Sequence, residues 1–229
     1  MSVAVILGLV ASALSLYSTV PQVMRAVRTR SVVGISWSSM LLSLATFTLW
    51  VVYAFAVADA IMIVNNTLAL ALLGVLAVVV MRHGEPQSVW EPVVVVLASA
   101  VSSAWLVDAT NAFTLAMVGT AASSVRMLPQ TRLAVSGAPL DGLSPASLAL
   151  AWVSGGLWLG YGVLVGDLAL VLVSAIVMVL QGVVLAYRVL PQRGTVMPAG
   201  VPAATPAGVP VVSPEASPVA AAVEVELAA

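Results

Sequence analysis

Residues 17–66 recur further along the chain at a constant offset of 108 positions, without a gap. Pro21 and Gln22 return as Pro129 and Gln130, and Gly34 and Ser36 as Gly142 and Ser144. Trp50, Tyr53 and Asp59 return as Trp158, Tyr161 and Asp167. Identity at residues this uncommon, at one fixed offset, marks a duplicated unit. The rest of the chain links or tails the two copies.

Composition decides the solvent in which the two copies fold. The chain is 62% hydrophobic and 7% charged, with a mean hydropathy of +1.14. A soluble domain carries roughly a quarter of its residues as charges to cover its surface. An integral membrane protein in the lipid bilayer is therefore expected. A formal net charge of -1 with no lysine run offers no basic face to nucleic acid. No cysteine is present, so a disulfide, a thiolate nucleophile or a thiolate metal site is ruled out. His83 is the single histidine and lies in a short polar loop, which gives no ligand set for a metal. No nucleophile–base pair can be assembled either. Neither an enzyme nor a cofactor is expected.

Crossing about 30 Å of hydrocarbon takes roughly 20 helical residues. Seven apolar segments qualify, at about 3–24, 36–58, 60–81, 90–107, 111–133, 144–165 and 168–189. The fourth has the shortest apolar core, VVVVLASAVSSAWLV. The first lacks the basic flank of a signal peptide and reads as a span. Residues 191–229 form an Ala/Pro/Val tail without amphipathic period, expected to be disordered and cytoplasmic.

Charge placement tests the count. With the N-terminus outside, Arg25, Arg28, Arg30, Arg82, Arg126, Arg132, Arg188 and Arg193 all fall on one side. The opposite loops hold Asp59, Asp108 and Asp167 and no basic residue. That asymmetry is the positive-inside pattern and sets the C-terminus in the cytoplasm. Dropping the fourth segment would put the two Arg-rich loops on opposite faces. The expected fold class is all-α: seven transmembrane helices, as two parallel three-helix repeats joined by one linker helix. The boundaries are 1–82 and 109–190 for the repeats, 83–108 for the linker and 191–229 for the tail. Parallel repeats place a binding site between them near the midplane.

A Pro-Gln ending the first helix, Gly-Ile-Ser or Gly-Leu-Ser opening the second, WxxY closing it and Asp opening the third resemble the PQ-loop superfamily. Within it the pattern is most similar to the SWEET and SemiSWEET sugar transporters. The resemblance covers residues 1–190 in two copies. It implies transport of a small solute, a mono- or disaccharide, by alternating access.

Depth arithmetic gives the candidate site. Trp50 lies eight residues before the turn at Ala58 and Asn66 eight after it, so both lie about 12 Å from the outer end. An indole face can stack on a sugar ring, and a carboxamide both donates to and accepts from hydroxyls. In SWEET-like carriers a Trp followed sixteen residues later by Asn holds the sugar, and Trp50 and Asn66 match. In the second copy Trp158 matches, while Ser174 replaces Asn and implies an asymmetric pocket. Asn65 is the neighbouring polar candidate. The alternative for these residues is interfacial anchoring or helix–helix hydrogen bonding.

The resemblance assigns Tyr53, Asp59, Tyr161 and Asp167 to an extracellular gate. Val57 and Val165 stand where family members often carry Arg, so the gate would rest on Tyr–Asp hydrogen bonds. The alternative for both aspartates is N-capping of the next helix. Pro21, Gln22, Pro129 and Gln130 are expected as an inner hinge, because proline removes an N–H and kinks a helix. Arg126 is placed near the cytoplasmic end, which leaves the midplane without a charge. A polar, uncharged site suits a neutral, hydroxyl-rich solute moving down its gradient, bound on the order of millimolar. Rival readings are a PQ-loop carrier of another metabolite, such as an amino acid, and a non-transporting receptor or sorting protein. Arg-only basic usage points to a bacterial inner (plasma) membrane. A homo-oligomer is compatible with the sequence.

Overall fold

The computed structural model describes residues 2–32, 35–84, 87–136 and 145–190. Gly34, Gly142, Ser144 and the tail at 191–229 lie outside the described residues, as do the side chains of Pro21 and Gln22. The described chain forms seven α-helices: α1 (Val3–Thr29), α2 (Trp37–Ala56), α3 (Ala60–His83), α4 (Trp90–Ala109), α5 (Ala112–Val135), α6 (Pro145–Val165) and α7 (Leu168–Val189). The protein is an all-α polytopic membrane protein. Six helices are long and apolar enough to cross a bilayer. The exception is α5, not the fourth segment with its short apolar core: Ser123, Ser124, Arg126 and Gln130 dilute the apolar run of a 24-residue helix. Helix α1 reaches Thr29 rather than residue 24, and α5 likewise continues past Pro129. A proline near a helix end forfeits one hydrogen bond, which the following turn outweighs.

Each repeat packs its third helix between the other two: α3 contacts α1 and α2, and α7 contacts α5 and α6. Two seams join the repeats, α1 against α6 and α2 against α5. Under the duplication α1 corresponds to α5 and α2 to α6, so the two seams are the same contact made twice. The six helices close a ring, and α4 lies on its outside against α2 and α5. The Trp37 indole N–H donates to Glu91 at 2.6 Å, tying the start of α4 to that of α2. Trp90 and Trp105, toward the two ends of α4, are exposed, as suits aromatic anchoring at the two interfaces.

The turn after the second helix of each repeat is built alike. Ala58 has φ 53° and its counterpart Gly166 φ 73°, both left-handed. In each, the next residue closes back on the helix, Asp59 N to Ala54 O at 3.0 Å and Asp167 N to Gly162 O at 2.9 Å. This is a Schellman closure, which satisfies carbonyls that lipid cannot. Below these turns one buried core spans both repeats, including Trp50, Tyr53, Met62, Leu115, Tyr161 and Leu170. At the opposite, arginine-bearing end, a second core of Val23, Ala26, Met40, Leu76, Ala77 and Val80 belongs to the first repeat alone. The repeats are fused at one end and separate at the other.

Candidate functional site

The fused end is fastened by hydrogen bonds that cross between repeats. The Tyr53 hydroxyl donates to Asp167, 2.8 Å from both carboxylate oxygens. The Tyr161 hydroxyl donates to Asp59 Oδ2 at 2.7 Å. Each aspartate also caps a helix. Asp59 Oδ1 accepts from the N–H groups of Ile61 and Met62, and Asp167 Oδ1 from that of Leu170. Capping and cross-repeat bonding therefore coexist, because a carboxylate has two oxygens and about four acceptor positions. Edge-to-face packing of Trp50 on Tyr53 (5.4 Å) and of Trp158 on Tyr161 (5.7 Å) aligns both phenols.

Immediately below lies a cavity of about 150 Å³ between the repeats, lined by Trp50, Trp158, Asn65 and Asn66 among others. The structure thus brings together four of the five residues expected to bind solute. Ser174 is buried but is not in the lining; Val173, the counterpart of Asn65, is. The difference of one residue follows from helix geometry, since adjacent residues point about 100° apart. The Asn66 side-chain N–H donates to Met62 O within its own helix at 2.9 Å, whereas Asn65 Oδ1 is buried without a partner among the described residues. Asn65 thus holds a buried acceptor that still needs a donor.

The two tryptophans are held differently. Trp50 is buried, and its indole N–H donates to Ser123 on α5 at 3.1 Å. Its backbone neighbour across that seam is Gly119, where a Cβ would come within 2.5 Å of Leu49 and 3.1 Å of the Trp50 ring. A larger residue would push α2 and α5 apart. Trp158 is only half-buried, and among the described residues no equivalent bond links it to Ser15, the counterpart of Ser123. Its seam is instead closed by Ser154, whose hydroxyl donates to Ala11 O at 3.1 Å.

Toward the arginine-bearing end the cavity continues into a wider one of about 490 Å³; Ser15, Phe47, Arg126 and Trp158 line both. Serines from α1, α2 and α6 make much of its wall polar. Access is therefore from this end, with the Tyr–Asp pairs sealing the other.

Arg126 corrects the expectation of an uncharged midplane. Its side chain reaches the same cavity as Trp50 and Asn65, with its guanidinium 5.7 Å from the Phe47 ring centroid. The signal was available in the sequence: Arg126 lies one turn before Pro129, on the face of Ser123, and arginine side chains extend well beyond one turn. Pro129 is exposed and Gln130 half-buried on α5, and Gln130 makes no side-chain hydrogen bond among the described residues.

Comparison with known proteins agrees with this architecture. Residues 3–61 match the PQ loop repeat family. No curated protein matches the sequence. Among solved structures, a eukaryotic SWEET transporter determined at 3.7 Å resolution superposes with a TM-score of 0.66 at 13% identity, over 80% of this chain and 94% of that one. At that identity the likeness concerns the fold. The chain therefore carries a PQ-loop repeat in its first quarter and has, over four-fifths of its length, the fold of a SWEET transporter.

Proposed function

We propose that the protein is an alternating-access carrier for a small, hydroxyl-rich solute of sugar type, moved down its gradient. The observation that carries this reading is the pair Trp50 and Trp158, one from each repeat, on the walls of one cavity closed at one end by Tyr53–Asp167 and Tyr161–Asp59. Two aromatic faces can hold a ring between them, while Asn65 and Asn66 exchange hydrogen bonds with its hydroxyls. In this state the solute would enter or leave through the serine-lined cavity. Breaking the Tyr–Asp pairs while the separate ends of the repeats close would present the same site to the other side. The positive-inside distribution of arginines puts the open end in the cytoplasm and the Tyr–Asp pairs outside.

Neither cavity wall contributes Asp, Glu, His or Lys among the described residues. A proton-coupled carrier ordinarily uses such a group along its path, so a uniporter is favoured. Uptake of labelled sugars and amino acids into proteoliposomes, with and without a pH gradient, tests this. Saturable sugar uptake independent of the pH gradient is expected. Uptake that requires an imposed proton gradient, or that is confined to amino acids, would overturn it.

A further inference from the structure

Arg126 is the residue of the cavity that a neutral cargo leaves unexplained. Its counterpart in the first repeat is Ser18, which hydrogen-bonds Ser15 O within its own helix at 2.7 Å. The duplicated scaffold therefore accepts a small residue at this position, and the arginine is not demanded by packing. It lines both the narrow and the wide cavity. Its Nε is buried and has no hydrogen-bond partner, and no carboxylate pairs with it among the described residues. The Phe47 ring lies 5.7 Å from its guanidinium, a contact that steadies a cation without neutralising it. An ionised side chain inside a membrane bundle is costly unless water or a counter-charge compensates it.

We propose that the counter-charge is supplied by the cargo: the site takes a polyhydroxylated monocarboxylate of about sugar size, a sugar acid, in preference to the neutral sugar. This inference rests on the carrier reading above. A guanidinium presents its donors in a planar fork that fits a carboxylate edge-on, and the unpartnered Nε belongs to that fork. One guanidinium balances one carboxylate. A phosphate ester, with a charge of about -1.5 to -2, would remain undercompensated, since no second cation lines the cavity among the described residues. An amino acid would bring an ammonium group for which neither wall offers a carboxylate among the described residues. The remaining hydroxyls meet the free buried acceptors Asn65 Oδ1 and Gln181 Oε1, both of which need donors. The sugar acid thus satisfies donor and acceptors together.

The test uses the full chain in proteoliposomes with labelled D-glucuronate, D-glucose and L-alanine. The wild type is expected to take up glucuronate at least about tenfold faster than glucose at equal concentration, the effect of one charge-assisted bond. Arg126→Ser, which installs the residue of the first repeat, is expected to bring the ratio of glucuronate to glucose uptake to within about threefold of unity. Arg126→Gln guards against a folding failure of the serine variant, and Arg126→Lys is expected to restore part of the preference. Equal handling of glucuronate and glucose by the wild type, an unaltered preference in both neutral variants, or a preference for alanine would overturn the proposal. Glucose uptake without glucuronate preference would overturn the acid assignment alone, whereas no uptake of any probe would overturn the carrier reading with it.

Discussion

At the aspartate end, Tyr53 reaches Asp167 as Tyr161 reaches Asp59, and Ala58 turns as Gly166 does. About two to four helical turns deeper, the repeats part company. Arg126 stands opposite Ser18, Gly155 opposite Phe47, Gln181 opposite Leu73 and Val173 opposite Asn65. The difference teaches what each region is for. Two copies of one closing bond can seal a pore symmetrically, and neither copy gains from changing. A small solute has no two-fold axis, so a cavity that recognises one gains from having unlike walls.

The largest effect should come from attacking the symmetric half. In Tyr53→Phe/Tyr161→Phe both cross-repeat bonds vanish, each a bond to a carboxylate worth roughly 1.5–3 kcal/mol. The outward-open population should rise by more than about a hundredfold. The chain contains no cysteine, so Met62→Cys is a clean reporter. Met62 is buried beneath the Tyr–Asp pairs and lines the cavity, and a membrane-impermeant maleimide should label it from the outer side fastest in the double variant. The single variants should each give about the square root of that effect, equal within a factor of about three. Grossly unequal singles would break the symmetry claim.

The asymmetric half predicts the opposite pattern, unequal consequences at equivalent positions. Asn65→Ala should lower uptake about tenfold or more, through loss of an amide facing the cavity, while Ser174→Ala should change it less than about threefold. Equal losses would return Ser174 to the site. The seams differ in the same way. Gly119→Ala should destabilise by about 1–3 kcal/mol, because its Cβ meets Leu49 and Trp50 in a seam backed by α4. Gly8→Ala should cost less, since the Tyr161 ring that it meets at 3.0 Å can shift. Thermal unfolding in detergent ranks the two. The smallest effect is a gain. Ala58→Gly should stabilise by about 0.5–1 kcal/mol, because glycine relieves the left-handed backbone as Gly166 already does.

Much of this was legible in the chain itself. The offset of 108 ties Tyr53 to Tyr161 and Asp59 to Asp167, and antiparallel helix geometry puts Trp50 and Asn66 at one depth. Both rest on local periodicity, which sequence displays directly. Two things escaped it. The rotation of a helix within a bundle depends on its neighbours, so Val173 rather than Ser174 faces the cavity. Arginine also projects far from its own backbone, so counting residues from the helix end put Arg126 too near the cytoplasm.

The central claim is that one cavity, flanked by a tryptophan from each repeat, is exposed to the two sides in turn. Counterflow across proteoliposomes measures it most directly. Labelled sugar or sugar acid outside is followed while the same unlabelled compound is loaded inside. Saturable uptake accelerated by the internal solute is expected, and its loss, by about tenfold or more, in Trp158→Ala, whose half-buried ring can be removed at modest cost to folding. Uptake that is neither saturable nor accelerated from the opposite side, or that survives Trp158→Ala unchanged, would contradict it.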